Sequence, residues 1–178
     1  VTVNVFHNDG VTIGGGDCTV DEANLPGGSH PDHDALTQTG TIKITAPDGL
    51  QTLTVGGINV IDHGVPLASP QSTTLPSGST LTILTYNPTT GEVTYTYTLN
   101  QSENHNQGDG TSLNDQIPVH AVDNDGDVCD GNVVVKILDD APQAHCDIGN
   151  VAAGGDVSGN LLLNDSAGAD GAGPNGLI

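Results

Sequence analysis

Apolar and polar positions alternate in short runs along this chain, with the period of two that marks half-buried β-strands. Residues 1–6 (VTVNVF) alternate cleanly. Residues 41–46 (TIKITA) lead through the turn Pro47-Asp48-Gly49 into residues 50–55, which have the pattern of a return strand. Residues 80–86 run into Asn87-Pro88-Thr89-Thr90-Gly91, a turn by composition, and residues 92–99 (EVTYTYTL) complete that hairpin. Residues 117–122 and 132–138 flank an acidic loop, while the polar residues 100–115 have the composition of a long loop. No stretch carries the 3.6-residue period of an amphipathic helix. Several short strands at regular spacing, with turn residues between them, predict an all-β chain folded as an immunoglobulin-like β-sandwich.

Composition supports the same class. The apolar residues are mainly Val, Leu, Ile and Ala, and 25 Gly and 10 Pro punctuate the chain. Aromatics are few: Phe6, Tyr86, Tyr95 and Tyr97. That scarcity counts against a carbohydrate-binding platform. No apolar run approaches the length of a membrane span, so direct membrane insertion is not expected. No signal peptide begins the chain, as expected of a fragment or of a protein exported by a C-terminal signal.

Charge changes the picture more. There are 22 acidic residues against two lysines, Lys43 and Lys136, for a net charge of −20. Self-repulsion of that size opposes a compact state unless cations offset it. Nucleic acid is excluded as a partner, because there is no basic patch to hold phosphates. The three cysteines, Cys18, Cys129 and Cys146, form neither CxxC nor CxxCH, and their pairing is open.

An internal echo sets the expected boundaries. Cys18-Thr19-Val20-Asp21 leads to Pro26-Gly27-Gly28, and Cys146-Asp147-Ile148-Gly149 leads to Ala153-Gly154-Gly155. Each has the look of a module's first strand after a linker. Residues 1–16 are then the end strand and linker of a preceding repeat, 17–142 a complete sandwich, and 143–178 a linker and the start of a following repeat. Joined head to tail, residues 174–178 and 1–5 make one continuous strand pattern. The terminal segments are therefore expected to complete the sheets of neighbouring copies, since an unpaired strand edge is a template for such pairing.

The sharpest chemical signal is Asp123-Asn124-Asp125-Gly126-Asp127. Three carboxylates at alternating positions can converge on one hard cation, and Ca2+ accepts six to eight oxygens in flexible geometry. The loop is not an EF-hand, and Asp130 is a further ligand within reach in sequence. Asp139 and Asp140, before Ala141-Pro142, with Asp21 and Glu22 at the module's opening, form a second candidate set that could hold a cation at a joint between modules. His30-Pro31-Asp32-His33-Asp34 has transition-metal donors, but Pro31 prevents a helix from presenting both histidines on one face, so the segment is expected to be a polar loop. GxSxG, HExxH, P-loop and dinucleotide fingerprints are absent, and nothing in the sequence supports an enzyme.

Taken in order, these motifs resemble a known family. The run from Val122-Asp123-Asn124-Asp125-Gly126-Asp127 to Asp139-Asp140-Ala141-Pro142 is similar to the closing motif of bacterial Ig-like repeats in giant RTX adhesins secreted by type I systems. Val20-Asp21-Glu22-Ala23-Asn24-Leu25-Pro26-Gly27-Gly28 resembles their opening. Val157-Ser158-Gly159-Asn160-Leu161-Leu162-Leu163-Asn164-Asp165 resembles the start of the related VCBS-type repeat. The resemblance implies a secreted, extracellular or cell-surface extender repeat, rigidified by Ca2+ and working in adhesion or biofilm formation. Its partners would be neighbouring copies, with the host or surface ligand bound elsewhere in the full protein. Cysteines are unusual in such repeats. They leave open an extracellular filament assembled by strand complementation, with disulfide links between repeats.

Overall fold

The computed structural model describes residues 11–105, 111–151, 153–160 and 162–171. Among the described residues eleven strands form two packed sheets: β1 (Thr12–Gly15), β2 (Cys18–Asp21), β3 (Thr37–Thr45), β4 (Leu50–Val55), β5 (Ile58–Asp62), β6 (Val65–Pro66), β7 (Gln71–Thr74), β8 (Thr80–Asn87), β9 (Glu92–Thr98), β10 (Ser112–Asp123) and β11 (Val128–Leu138). One sheet runs β1-β3-β9-β8-β7 and the other β2-β11-β10-β4-β5-β6. Every pairing is antiparallel except β2 with β11. The chain is an all-β sandwich of the immunoglobulin-like kind, its first strand divided between the two sheets.

Glycine makes that division. Gly15 and Gly16 have φ of +77° and +96°, a backbone region that side chains rarely enter, and there the chain leaves β3 for the edge of β11. A Cβ at Gly16 would press on Ile42 Cγ1 and Val133 Cγ2 at 3.1 Å, one residue from each sheet. The sandwich therefore begins upstream of residue 17. Residues 12–15, expected to belong to a preceding repeat, are a strand of this one, and Val11 is fully buried. Four residues ending in two glycines are too short to show a period. The expected strand at 1–6 and its head-to-tail partner at 174–178 lie outside the described residues.

The core fills the space between the sheets with Ile42, Leu53, Leu81, Ile83, Ile117 and other aliphatic side chains, around Tyr95 and Tyr97 from β9. Burying each large side chain contributes about 1.5–3 kcal/mol. Gly40 lies directly opposite Tyr95 across β3 and β9, and a Cβ there would sit 2.5 Å from the phenol ring. The ring thus occupies the space that Gly40 leaves empty, and its hydroxyl donates to Gly16 O. Tyr97 donates to Asp115 Oδ2 at 2.9 Å, where Ser77 Oγ also donates at 2.5 Å. Burial pushes both phenols well above their usual pKa.

Two readings of local pattern change. Residues 41–55 are not a hairpin, because β3 pairs with β1 and β9 whereas β4 pairs with β10 and β5. The Pro47-Asp48-Gly49 turn carries the chain from one sheet to the other. Alternation gives a strand's buried face but not the sheet it joins. Residues 112–115, expected in a loop, open β10, which pairs with β11 alone until β4 joins at Val119. Beyond Leu138 the described residues add no strand. The segment Cys146-Asp147-Ile148-Gly149 does not repeat β2, and one bridge, Gln143 to Ser166, folds the tail back. Ala169 packs there against the core.

The three cysteines form no disulfide with one another: Cys129 is in the core, Cys18 half-buried and Cys146 exposed. Two outcomes follow. Gly40→Ala should lower stability by about 1–3 kcal/mol through overpacking against Tyr95, measured by urea denaturation; an unchanged midpoint would contradict the close packing. In the native protein a thiol reagent should modify Cys146 within the mixing time and Cys129 only on unfolding, as read by mass spectrometry.

Candidate cation sites at the two ends of the sandwich

The loop between β10 and β11 is shaped by its first carboxylate. Asp123 is fully buried, and its Oδ1 accepts hydrogen bonds from the amides of Gly126 (3.0 Å) and Asp127 (2.8 Å). The Asp123 amide donates to Asp127 O at 3.1 Å, closing the turn, and Gly126 supplies its φ of +99°. Asn124 ties this loop to the turn between β3 and β4. Its amide donates to Gly49 O at 3.0 Å and its Nδ2 to Asp48 O at 2.7 Å.

That tie brings Asp48 to the loop, so that one carboxylate oxygen each from Asp48, Asp123 and Asp125 lies within 4.8 Å of the others. Asp123 Oδ2 and Asp127 Oδ2 are buried without a hydrogen-bond partner. Crowding splits the titration. The neighbouring Asp125 carboxyl, helped by the loop amides, holds Asp123 below the usual carboxylate range. The same proximity raises Asp125, and burial and the charges of Asp123, Asp127 and Asp48 add to it. Two carboxylates this close share a proton or need a cation.

Of the expected ligands here, Asp123 and Asp125 come together, while Asp127 stands beside them outside the trio. Asp130 is drawn away by His120, whose Nδ1 is 2.6 Å from its Oδ1. In sequence Asp48 is only a turn residue, since no spacing rule links position 48 to 123. A cavity of about 550 Å³ opens beside the trio, lined in part by Lys43, Tyr86, Thr90 and Asn124.

The second expected set, Asp21, Glu22, Asp139 and Asp140, lies at the opposite end, because β11 separates residues 127 and 139 by roughly 40 Å of extended chain. Its members do not act as one group. Asp21 caps a single 3-10 turn, Glu22–Asn24, by accepting from the Ala23 amide at 2.9 Å. Asp140 accepts from Ser29 N (2.8 Å) and Ser29 Oγ (2.6 Å), fastening the loop after Gly28 to the end of β11. Glu22 and Asp139 do meet, and the residue that joins them is His105 from the connection between β9 and β10. Glu22 Oε1 accepts from the Glu103 amide at 2.6 Å and lies 3.2 Å from His105 Nε2. Burial raises Glu22 above its usual pKa, against the opposing pull of the Glu103 amide and the imidazole. Burial likewise raises Glu103. The segment His30-Pro31-Asp32-His33-Asp34 is exposed, a polar loop entering a 3-10 turn, Asp34–Leu36.

Comparison of the chain with known protein families, with curated proteins and with solved structures gives no match.

Ionising Asp125 disfavours the folded state above its unfolded pKa, because its folded pKa is raised. Asp123 has the opposite sign: its contribution is present above its unfolded pKa and is lost as pH falls through its lowered folded value. In chelator at pH 7, Asp125→Asn should therefore melt higher than the parent chain, and the gap should shrink as pH enters the carboxylate range. A variant that melts lower at pH 7 would contradict the crowding.

Proposed function

We propose that this chain is a cation-stiffened structural repeat, an extender module of a secreted or cell-surface bacterial adhesin, with Ca2+ held by Asp48, Asp123 and Asp125. The observation that carries this reading is the meeting of those three carboxylates around a buried, unpartnered Asp123 oxygen. The trio offers only oxygen donors from two turns, and carbonyls and water can complete the coordination that Ca2+ prefers. A cation there removes the repulsion between the turns and locks the passage from β3 to β4 against the β10–β11 loop. The net charge of −20 adds a general demand for cations of the same sign. In this reading the protein projects and stiffens rather than catalyses, its partners are neighbouring copies, and the ligand of the full protein is bound elsewhere. Sequence order supports the adhesin assignment, through the resemblance of the opening and closing motifs.

Melting curves in chelator and in millimolar CaCl2 test the reading. Ca2+ at about 100 times its Kd should raise Tm by roughly 5–10 °C for a chain of this size, and Asp123→Asn should abolish the rise. Small-angle scattering of two consecutive copies should give a larger radius of gyration in Ca2+ than in chelator. A melting curve that ignores Ca2+ would overturn the assignment of the trio, and an unchanged radius the stiffening role.

A further inference from the structure

Glu22, His105 and Asp139 close the end of the sandwich opposite the acidic loop, and their donor set is of a different kind. One ligand atom from each lies within 4.8 Å of the other two. The Glu22 and His105 side chains are 0% and 3% exposed. Both are nonetheless unsatisfied: Glu22 Oε2 has no hydrogen-bond partner, and neither do Nδ1 and Nε2 of His105. His105 Nε2 is only 3.2 Å from Glu22 Oε1, but the contact lacks the alignment of a hydrogen bond. A buried imidazole and a buried carboxylate in this state are costly unless something else engages them.

We propose that Glu22, His105 and Asp139 form a binding site for a divalent first-row transition ion of the zinc type, distinct from the calcium site at the other end. Ligand oxygen and nitrogen atoms at 2.0–2.1 Å from a tetrahedral ion are about 3.3 Å apart, close to the 3.2 Å between His105 Nε2 and Glu22 Oε1. The same pair is thus poorly aligned for a hydrogen bond and well spaced for two ligands of one small ion. A neutral imidazole with two carboxylates suits zinc and its neighbours, whereas Ca2+ takes oxygen donors. Glu103, whose buried Oε1 also lacks a partner, or a water completes the coordination.

The three ligands come from separate places in the chain: the 3-10 turn after β2, the connection between β9 and β10, and the residue after β11. An ion there links the opening of the sandwich to its close. It acts as a staple at the pole where the tail packs, independently of the acidic loop.

The test is a ZnCl2 titration of the full chain in millimolar CaCl2, followed by the side-chain nitrogen resonances of the seven histidines and by calorimetry. The His105 ring resonances should move to metal-bound positions at about one equivalent, before those of the exposed His30 and His33. His105→Gln, whose assigned signal disappears, should weaken the first binding event by more than the roughly 10–100-fold loss typical of an outer-sphere partner. Glu22→Gln should weaken it as well, and both variants should keep the rise in Tm with Ca2+. Zinc that first shifts other histidines or engages Cys146, or a first event of unchanged affinity in His105→Gln, overturns the proposal. So does a chain that binds no zinc. If His105→Gln fails to fold, the resonances of the parent chain decide alone. Loss of the calcium response in the parent chain would count against the function proposed above and leaves this site's test intact.

Discussion

A carboxylate oxygen shut away from water must be hydrogen-bonded, protonated or held by a cation, and this constraint organises both ends of the sandwich. For some carboxylates it is met internally. Asp115 takes Tyr97 and Ser77, Asp140 takes two bonds from Ser29, and Asp21 is spent on a cap. For others, at the poles, it is not met. Asp123 and Asp127 at one end, and Glu22 and Glu103 at the other, each keep an oxygen without a hydrogen-bond partner. A chain with two lysines for 22 acids has little positive charge of its own to send there, and Lys43 is already engaged with the Thr90 carbonyl.

The fold was more legible than the sites. The alternation in 80–86, 92–99, 117–122 and 132–138 maps directly onto β8, β9, β10 and β11, because each of these strands buries one face and exposes the other. What stayed hidden was short, polar or dependent on partners. β1 ends in glycines, β6 has two exposed residues, and β7 (QSTT) is an edge strand without a buried residue. β10 looked like a loop in its first residues because only β11 flanks them there.

The acidic loop was legible as a cluster because its carboxylates are neighbours in sequence. Its third member was not, since Asp48 arrives through Asn124, a residue whose side chain reaches a main-chain carbonyl 76 positions away. At the other pole the sequence pointed to Asp139-Asp140 and Asp21-Glu22 as pairs. Adjacent residues at a strand's end point in different directions, so each pair divides: one member goes to the buried cluster and the other to hydrogen bonds elsewhere, Asp21 with Ala23 and Asp140 with Ser29. His105 carried no signal, because a histidine in a polar stretch resembles any solvated loop residue until β9 and β10 fix its position.

The two poles share one strand, and this shapes how cations can act on the molecule. β11 begins at the acidic loop and ends beside Asp139, and it pairs with β10 along its full length and with β2 near its close. An ion at the loop would secure the crossing between sheets, where β3 passes to β4. An ion at Glu22, His105 and Asp139 would secure the end of the divided first strand, where β2 passes into the 3-10 turn. Oxygen-only donors at one pole and a mixed nitrogen and oxygen set at the other would let two different ions hold them separately. Stiffness along the strand axis would then depend on the ionic composition of the surroundings, without any change in fold.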